Sequence, residues 1–148
     1  MLEFKSYTFN QLTTQQLHDL MRLRIDVFVV EQDCPYPEID GRDLDATHIL
    51  GTDNDEIVAY TRILPAGSVF PEVSFGRVVV AQSHRGKSLG HDLLKFTLAT
   101  IEAEHGNIPV RISAQVYLVG YYQQYGFEIA GEEYLEDGLP HIDMLRKS

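Results

Sequence analysis

Apolar positions follow two rhythms along this chain, and the switches between them mark the expected elements. Leu2 to Phe9 is rich in β-formers and predicts a first strand. Thr13 or Thr14 then caps a helix whose Leu17, Leu20, Met21, Val27 and Phe28 share one stripe. The Pro- and Asp-rich stretch from Asp33 to Asp45 predicts a loop. His48 to Gly51 and Ile57 to Leu64 flank turn-forming residues and predict a hairpin, and Val73 to Val80 predicts a third long strand. Leu89, Leu93, Leu94, Leu98 and Ile101 make the apolar face of a helix that stops near Gly106. Val110 to Ala114 reads as a strand and Tyr117 to Tyr125 as a short aromatic helix closed by Gly126. Phe127 to Tyr134 and Ile142 to Arg146 read as the last two strands, joined through Glu136-Asp137-Gly138-Leu139-Pro140. The order β-α-ββ-β-α-β-α-ββ predicts a mixed α/β sheet with helices on both faces.

A length of 148 residues predicts a single domain over residues 1–148, with no repeat or linker to divide it. The formal net charge of −10 argues against nucleic acid as a partner and favours cationic substrates. The single cysteine, Cys34, cannot close an internal disulfide and suits a reducing cytoplasm. Met1-Leu2-Glu3-Phe4-Lys5 lacks an apolar signal region and no segment reaches membrane-spanning length, so a cytoplasmic protein without a membrane partner is expected.

The strand ending at Val80, the small and basic residues of the loop and the helix from Leu89 form a strand–loop–helix unit. Loop amides and the positive helix end favour a bound anion there, and Arg85 and Lys87 add charge. Gly86-Lys87-Ser88 matches the end of a P-loop, but G-x-x-x-x-G-K-[ST] requires glycine where this chain has Ala81, and G-x-G-x-x-G is absent. Arg85 and Gly90 instead bracket the pattern [QR]-x-x-G-x-[GA], with Ser88 at the inner glycine. Serine tolerates that turn less freely than glycine, but its hydroxyl is expected to cap the helix.

That loop resembles the acyl-CoA pyrophosphate loop of the GNAT acetyltransferase superfamily. Gly120-Tyr121-Tyr122-Gln123-Gln124-Tyr125-Gly126-Phe127, one strand later, resembles the superfamily's Y-x-x-x-G-F ending. Arg24 to Gln32 with Cys34-Pro35-Tyr36, Glu38 to His48, and Tyr134 to Met144 are similar to the ElaA-like subfamily, so the resemblance covers nearly the whole chain. It implies a GNAT fold: one domain with a mixed, mostly antiparallel sheet of about seven strands, splayed in the middle, flanked by about four helices. The activity implied is acetyl transfer from acetyl-CoA to a primary amine of a small molecule or peptide, by direct attack in a ternary complex. No metal is implied, and a homodimer is allowed.

The resemblance also assigns roles. Val78, Val79 and Val80 would hold the pantetheine like an added strand, with an amide of Val78 or Val79 facing the thioester carbonyl. Arg85, Gly86, Lys87, Ser88, Leu89 and Gly90 would hold the pyrophosphate, and Gln115 would contact the pantetheine arm. Tyr122 matches the family's acid; an ordinary phenol is protonated at neutral pH and can donate to sulfur.

The base is open. The family's strand glutamate falls at Ser74, so Glu72 through a water, Glu31 and His141 are candidates, as is an amine that arrives deprotonated. Acceptor binding is expected at Glu31, Asp40, His48 and His141. The acidic loop with Glu38, Asp40, Asp43 and Asp45 reads as a solvated turn or a cation-recognition loop, since the calcium pattern D-x-[DN]-x-[DN]-G fails. Arg24 is expected to pair with Glu31 or Asp40, and His18, His84, His91 and His105 to lie on the surface. Two alternatives stay open: a non-catalytic acyl-CoA-binding sensor, and an enzyme similar to acyl-homoserine-lactone synthases.

Overall fold

The computed structural model describes residues 2–147; Met1 and Ser148, the ends of the expected domain, lie outside the described residues. Four antiparallel strands come first in space as in sequence: β1 (Leu2–Thr8), β2 (Thr47–Asp53), β3 (Glu56–Leu64) and β4 (Ser74–Val80). A second sheet holds β5 (Val110–Gln115), β6 (Glu128–Ile129), β7 (Tyr134–Glu136) and β8 (Leu139–Arg146), with β8 pairing all three others. Among the described residues the two sheets join at one parallel bridge, Val73 to Val110, where the Arg111 N–H donates to the Val73 carbonyl at 3.0 Å. Beyond that bridge β4 and β5 have no pairing, so the expected central splay is a true gap between two four-stranded sheets.

Among the described residues three α-helices cover the sheets: α1 (Thr14–Arg24), α2 (Leu89–His105) and α3 (Val119–Gln123). Thr13 starts α1 with a capping box, its hydroxyl accepting from the Gln16 N–H and Gln16 answering the Thr13 N–H. The helical stripe does not run on regularly to Phe28. Ile25–Glu31 is a π-helical segment, rich in Ile25, Val27, Val29 and Val30, whose branched β-carbons crowd a regular α-turn. α2 sets Leu89, Leu93, Leu94 and Ile101 against Ile49, Phe75, Ile112 and Met144, while Leu20 of α1 packs with Leu50, Tyr60 and Val79. Adjacent residues Ile49 and Leu50 therefore serve opposite faces of β2. A fully buried leucine such as Leu93 is worth roughly 2–5 kcal/mol against alanine.

The C-terminal reading needs correction. Phe127 is a buried core residue before a two-residue β6, and Tyr134 belongs to a separate strand. Asp137 and Gly138 both take positive φ (51° and 79°), the geometry of a tight hairpin between β7 and β8. That turn lets β8 begin at Leu139, three residues before the expected Ile142.

Candidate active site

The gap between β4 and β5 opens into a cavity of about 620 Å³, walled by Ser74 to Val80 on one side and Ile112 to Gln115 on the other. A mostly apolar cleft with a few convergent polar groups is the usual form of a small-molecule site. Arg77 sits at φ 54° in the middle of β4, and the pairing with β3 slips between Tyr60 and Arg62. This bulge takes Arg77 and Val78 out of register with β3, while Val79 and Val80 stay opposite Tyr60 and Ala59. Val78, Val79 and Val80 all line the cavity.

Past Val80 the wall becomes the anion-favouring loop. A smaller cavity of about 300 Å³ lies against Arg85, Gly86, Ser88 and Leu89 and shares Val80 and Gly90 with the larger one. Lys87 is exposed beside it. Ser88 takes the left-handed conformation (φ 59°, ψ 18°) at the N-cap of α2, with no side-chain capping bond. The expected serine cap is thus absent, because a capping hydroxyl needs an extended N-cap backbone to reach the next N–H groups. A β-carbon at Gly90 would meet the Tyr121 Oη at 3.6 Å, an ordinary van der Waals contact. Arg85 is engaged by Glu31 and by the Val80 carbonyl.

Tyr122 lies in the cavity wall and is 6 % exposed. The rings of Phe75, Phe127 and Tyr121 surround it, and burial pushes its phenol well above the ordinary value, so it stays protonated. Tyr121 also lines the cavity, its phenol pushed up to about 12 by burial and by Tyr125. His91, expected on the surface, is half-buried between Tyr121 and Tyr125 and bonds the Tyr125 hydroxyl. Gln115 ends β5 on the cavity wall, opposite His141.

The base and acceptor candidates separate sharply. Glu72 precedes β4, outside the cavity lining, and is held by Arg111 at 3.1 Å. Glu31 lies beside the loop, and its bonds from Arg85 hold its carboxyl below the ordinary range, which makes it a weak base. His48 is fully buried away from the cavity lining: its Nε2–H donates to the Asp43 carbonyl (2.9 Å), and Nδ1 accepts from the Tyr60 hydroxyl (2.5 Å). Burial also lowers its pKa, so His48 is a neutral fixture of the core. Asp40 reaches the cavity but receives two Arg62 bonds at 2.9 Å. His141 lines the cavity with its Nδ1–H donated to the Leu139 carbonyl at 2.8 Å.

In the acidic loop Asp45 is exposed, but Glu38, Asp40 and Asp43 are committed to arginines and are not solvated turn residues. Glu38 and Asp43 are each 4 % exposed and bind Arg24, itself fully buried, at 2.6 and 2.7 Å. Arg77 adds a bond to Glu38 and Arg62 one to Asp43, so three arginines and three carboxylates balance. Arg24 therefore pairs with Glu38 and Asp43 instead of Glu31 or Asp40. Removing one partner from such a buried set costs roughly 3–5 kcal/mol, because the remaining charges lose compensation. An arginine inside the apolar run Ala59 to Leu64 was the sequence sign of this network. Arg77, Ser113 and Glu136 of the lining carried no such sign. Among the described residues, no helix is long and apolar enough to cross a membrane, and no His/Cys/Asp/Glu cluster could hold a metal.

Comparison with known proteins agrees with this geometry. The profile of the acetyltransferase (GNAT) domain matches residues 11–148. Protein ElaA of Escherichia coli K12 is 45% identical over 149 aligned residues, covering 99% of this chain and 97% of that protein. Its crystal structure superposes with a TM-score of 0.93 over 99% of this chain and 100% of that one. An acyl-CoA N-acyltransferase from Pseudomonas aeruginosa has 41% identity and a TM-score of 0.94, covering 99% of each chain. A GNAT acetyltransferase from Elizabethkingia anophelis, with acetyl-CoA bound, shares the fold at 17% identity and TM-score 0.70, over 99% and 98% of the chains.

Proposed function

The chain belongs to the GNAT acetyltransferase family and is ElaA-like, and from that premise we propose that it moves an acetyl group from acetyl-CoA to a primary amine of a small molecule or peptide. The observation that carries this reading is the unpaired gap between β4 and β5, with an anion-favouring loop at its end and Tyr122 in its wall. Val78, Val79 and Val80 receive the pantetheine arm along the free side of β4, where the bulge has taken Val78 out of pairing with β3. Amides of Arg85 to Gly90, at the positive end of α2, receive the diphosphate. Gln115 offers its amide to the arm from the β5 side.

Acetyl transfer needs a neutral amine, a stabilised oxyanion and a protonated leaving thiolate. An amide N–H of Val78 or Val79 faces the thioester oxygen. Tyr122 donates to the departing sulfur, a role its burial supports by keeping the proton on the phenol. We place the acceptor near Asp40 and His141, both of which line the cavity. A cytoplasmic setting suits the lone thiol of Cys34. Incubation with acetyl-CoA and a panel of amines, following free thiol, tests the proposal. Amine-dependent thiol release is the expected result, whereas binding without release points to an acyl-CoA sensor.

A further inference from the structure

At the far wall of the same cavity, the β7–β8 hairpin builds a paired site to which neither the loop nor Tyr122 contributes. His141 is 7 % exposed and donates Nδ1–H to the Leu139 carbonyl. That bond fixes the tautomer and leaves the Nε2 lone pair as the ring's acceptor. Nε2 lies 3.4 Å from Glu136 Oε2, long for a good hydrogen bond, so the two groups are neighbours in the cavity lining without a tight bond between them. Glu136 is half-exposed and lines the cavity.

The pair is also braced from behind. The His141 ring stacks on Tyr134, whose hydroxyl donates to Asp143 at 2.8 Å and bonds the Ser113 hydroxyl. Ser113 lies 3.4 Å from Glu136 as well. The charged or titratable groups around the imidazole are thus Tyr134 and Glu136 on β7, Asp137 in the turn and Asp143 on β8. Across β5 stand Gln115 and Ser113, and the Cys34 thiol approaches from its loop, donating to the Asp137 carbonyl at 3.3 Å. Apart from Arg111, which is occupied by Glu72 and Asp143, none of these neighbours is a cation. Residues 128–137 add Glu128, Glu132 and Glu133, all exposed, with no lysine or arginine.

We propose that Glu136 and His141 form the acceptor station: Glu136 anchors the incoming ammonium and His141 Nε2 removes its proton. The inference rests on the acetyl-transfer reading and adds to it the base and the acceptor class, amines carrying a second positive charge beyond the reacting one. The acidic segment 128–137 favours that second charge. The proton balance closes. One ammonium proton passes to Nε2 and on to solvent. The neutral nitrogen attacks the thioester carbon, forming the C–N bond, and the C–S bond breaks with its electron pair on sulfur. Tyr122 gives sulfur a proton and regains one from the nitrogen, so amide, free thiol and one released proton result.

The test uses the full chain with acetyl-CoA, butane-1,4-diamine and butan-1-amine, and the variants Glu136→Gln and His141→Asn. Asparagine keeps a donor near the Leu139 carbonyl. Glu136→Gln should raise the diamine KM at least tenfold with kcat within about twofold. His141→Asn should lower kcat at neutral pH about 100-fold and move the acidic limb of the pH profile up towards the amine's own deprotonation, so that activity recovers at high pH. Diamine should also shift the His141 ring resonances of the wild type in NMR titration, and do so less in Glu136→Gln. Wild-type kinetics in both variants, or an unmoved His141 resonance, would overturn the station. Wild-type protein that releases no thiol with any amine would instead overturn acetyl transfer, and the NMR titration would still decide whether Glu136 and His141 bind an ammonium.

Discussion

Glu31 grips Arg85 with both carboxylate oxygens, at 2.7 and 3.0 Å, across 54 residues of sequence. The contact ties the π-helical segment to the Arg85–Gly90 loop. It also places a negative charge where the loop otherwise invites one. Both side chains are about 40% exposed (39% and 41%), so a pair of this kind is worth at most about 1 kcal/mol.

Glu31→Gln should therefore tighten CoA binding by roughly two- to fivefold, since the carboxylate no longer competes for Arg85. Isothermal titration calorimetry at low salt reads this directly. Weaker binding would mean that Glu31 holds Arg85 in its binding pose and does not compete.

Ser88→Gly should stabilise the protein by about 1 kcal/mol, because a left-handed serine without a capping bond carries strain that glycine lacks. CoA affinity should hold or improve. A drop in melting temperature would reveal a stabilising contact of the hydroxyl.

Tyr122→Phe keeps the packing against Phe75 and Phe127 and removes one hydroxyl. Thermal stability should change by less than about 1 kcal/mol, while kcat falls 100-fold or more with little change in the acetyl-CoA KM. Equal kcat in the two proteins would remove the phenol from the chemistry.

Acid should expose the role of Asp40. Burial works to raise its pKa, but bonds from Arg62 and the Arg42 N–H, with the charges of Arg62 and Arg77, bring it down to about 2. The unfolded chain takes up this proton first as pH falls, so the contribution is full above about pH 4 and lost towards pH 2. After allowing for solvent screening it amounts to about 1 kcal/mol. Asp40→Asn should lower the melting temperature at pH 7 and flatten acid unfolding across that window. An unchanged acid transition would show that the pair contributes nothing to folding.

Elements governed by local rhythm were legible in the sequence. The Thr13 cap, the hairpin around Asn54 and Asp55 and the α2 stripe from Leu89 to Ile101 each follow from residues close in the chain. The position of the loop between β4 and α2 and of Tyr122 on α3 likewise follows from contiguous residues. What depended on distant partners was not. Glu38 and Asp43 look like solvent-facing loop carboxylates until Arg24, 14 and 19 residues away, is seen beneath them. His48 shows the converse: its polar label suggested a ligand contact, yet Tyr60 and the Asp43 carbonyl absorb both ring nitrogens. Glu136 was readable only as part of a turn, because its meeting with His141 is set by the two-residue hairpin.

Among the described residues, the lone backbone seam between the sheets, at Val73 and Val110, has a mechanical consequence. Over their shared core the two sheets meet like pages on a short spine, and any occupant spanning both pages fastens them. Amide hydrogen exchange along Val78–Val80 and Ile112–Ala114 should then slow in concert when the space fills, although these stretches share no ladder with each other.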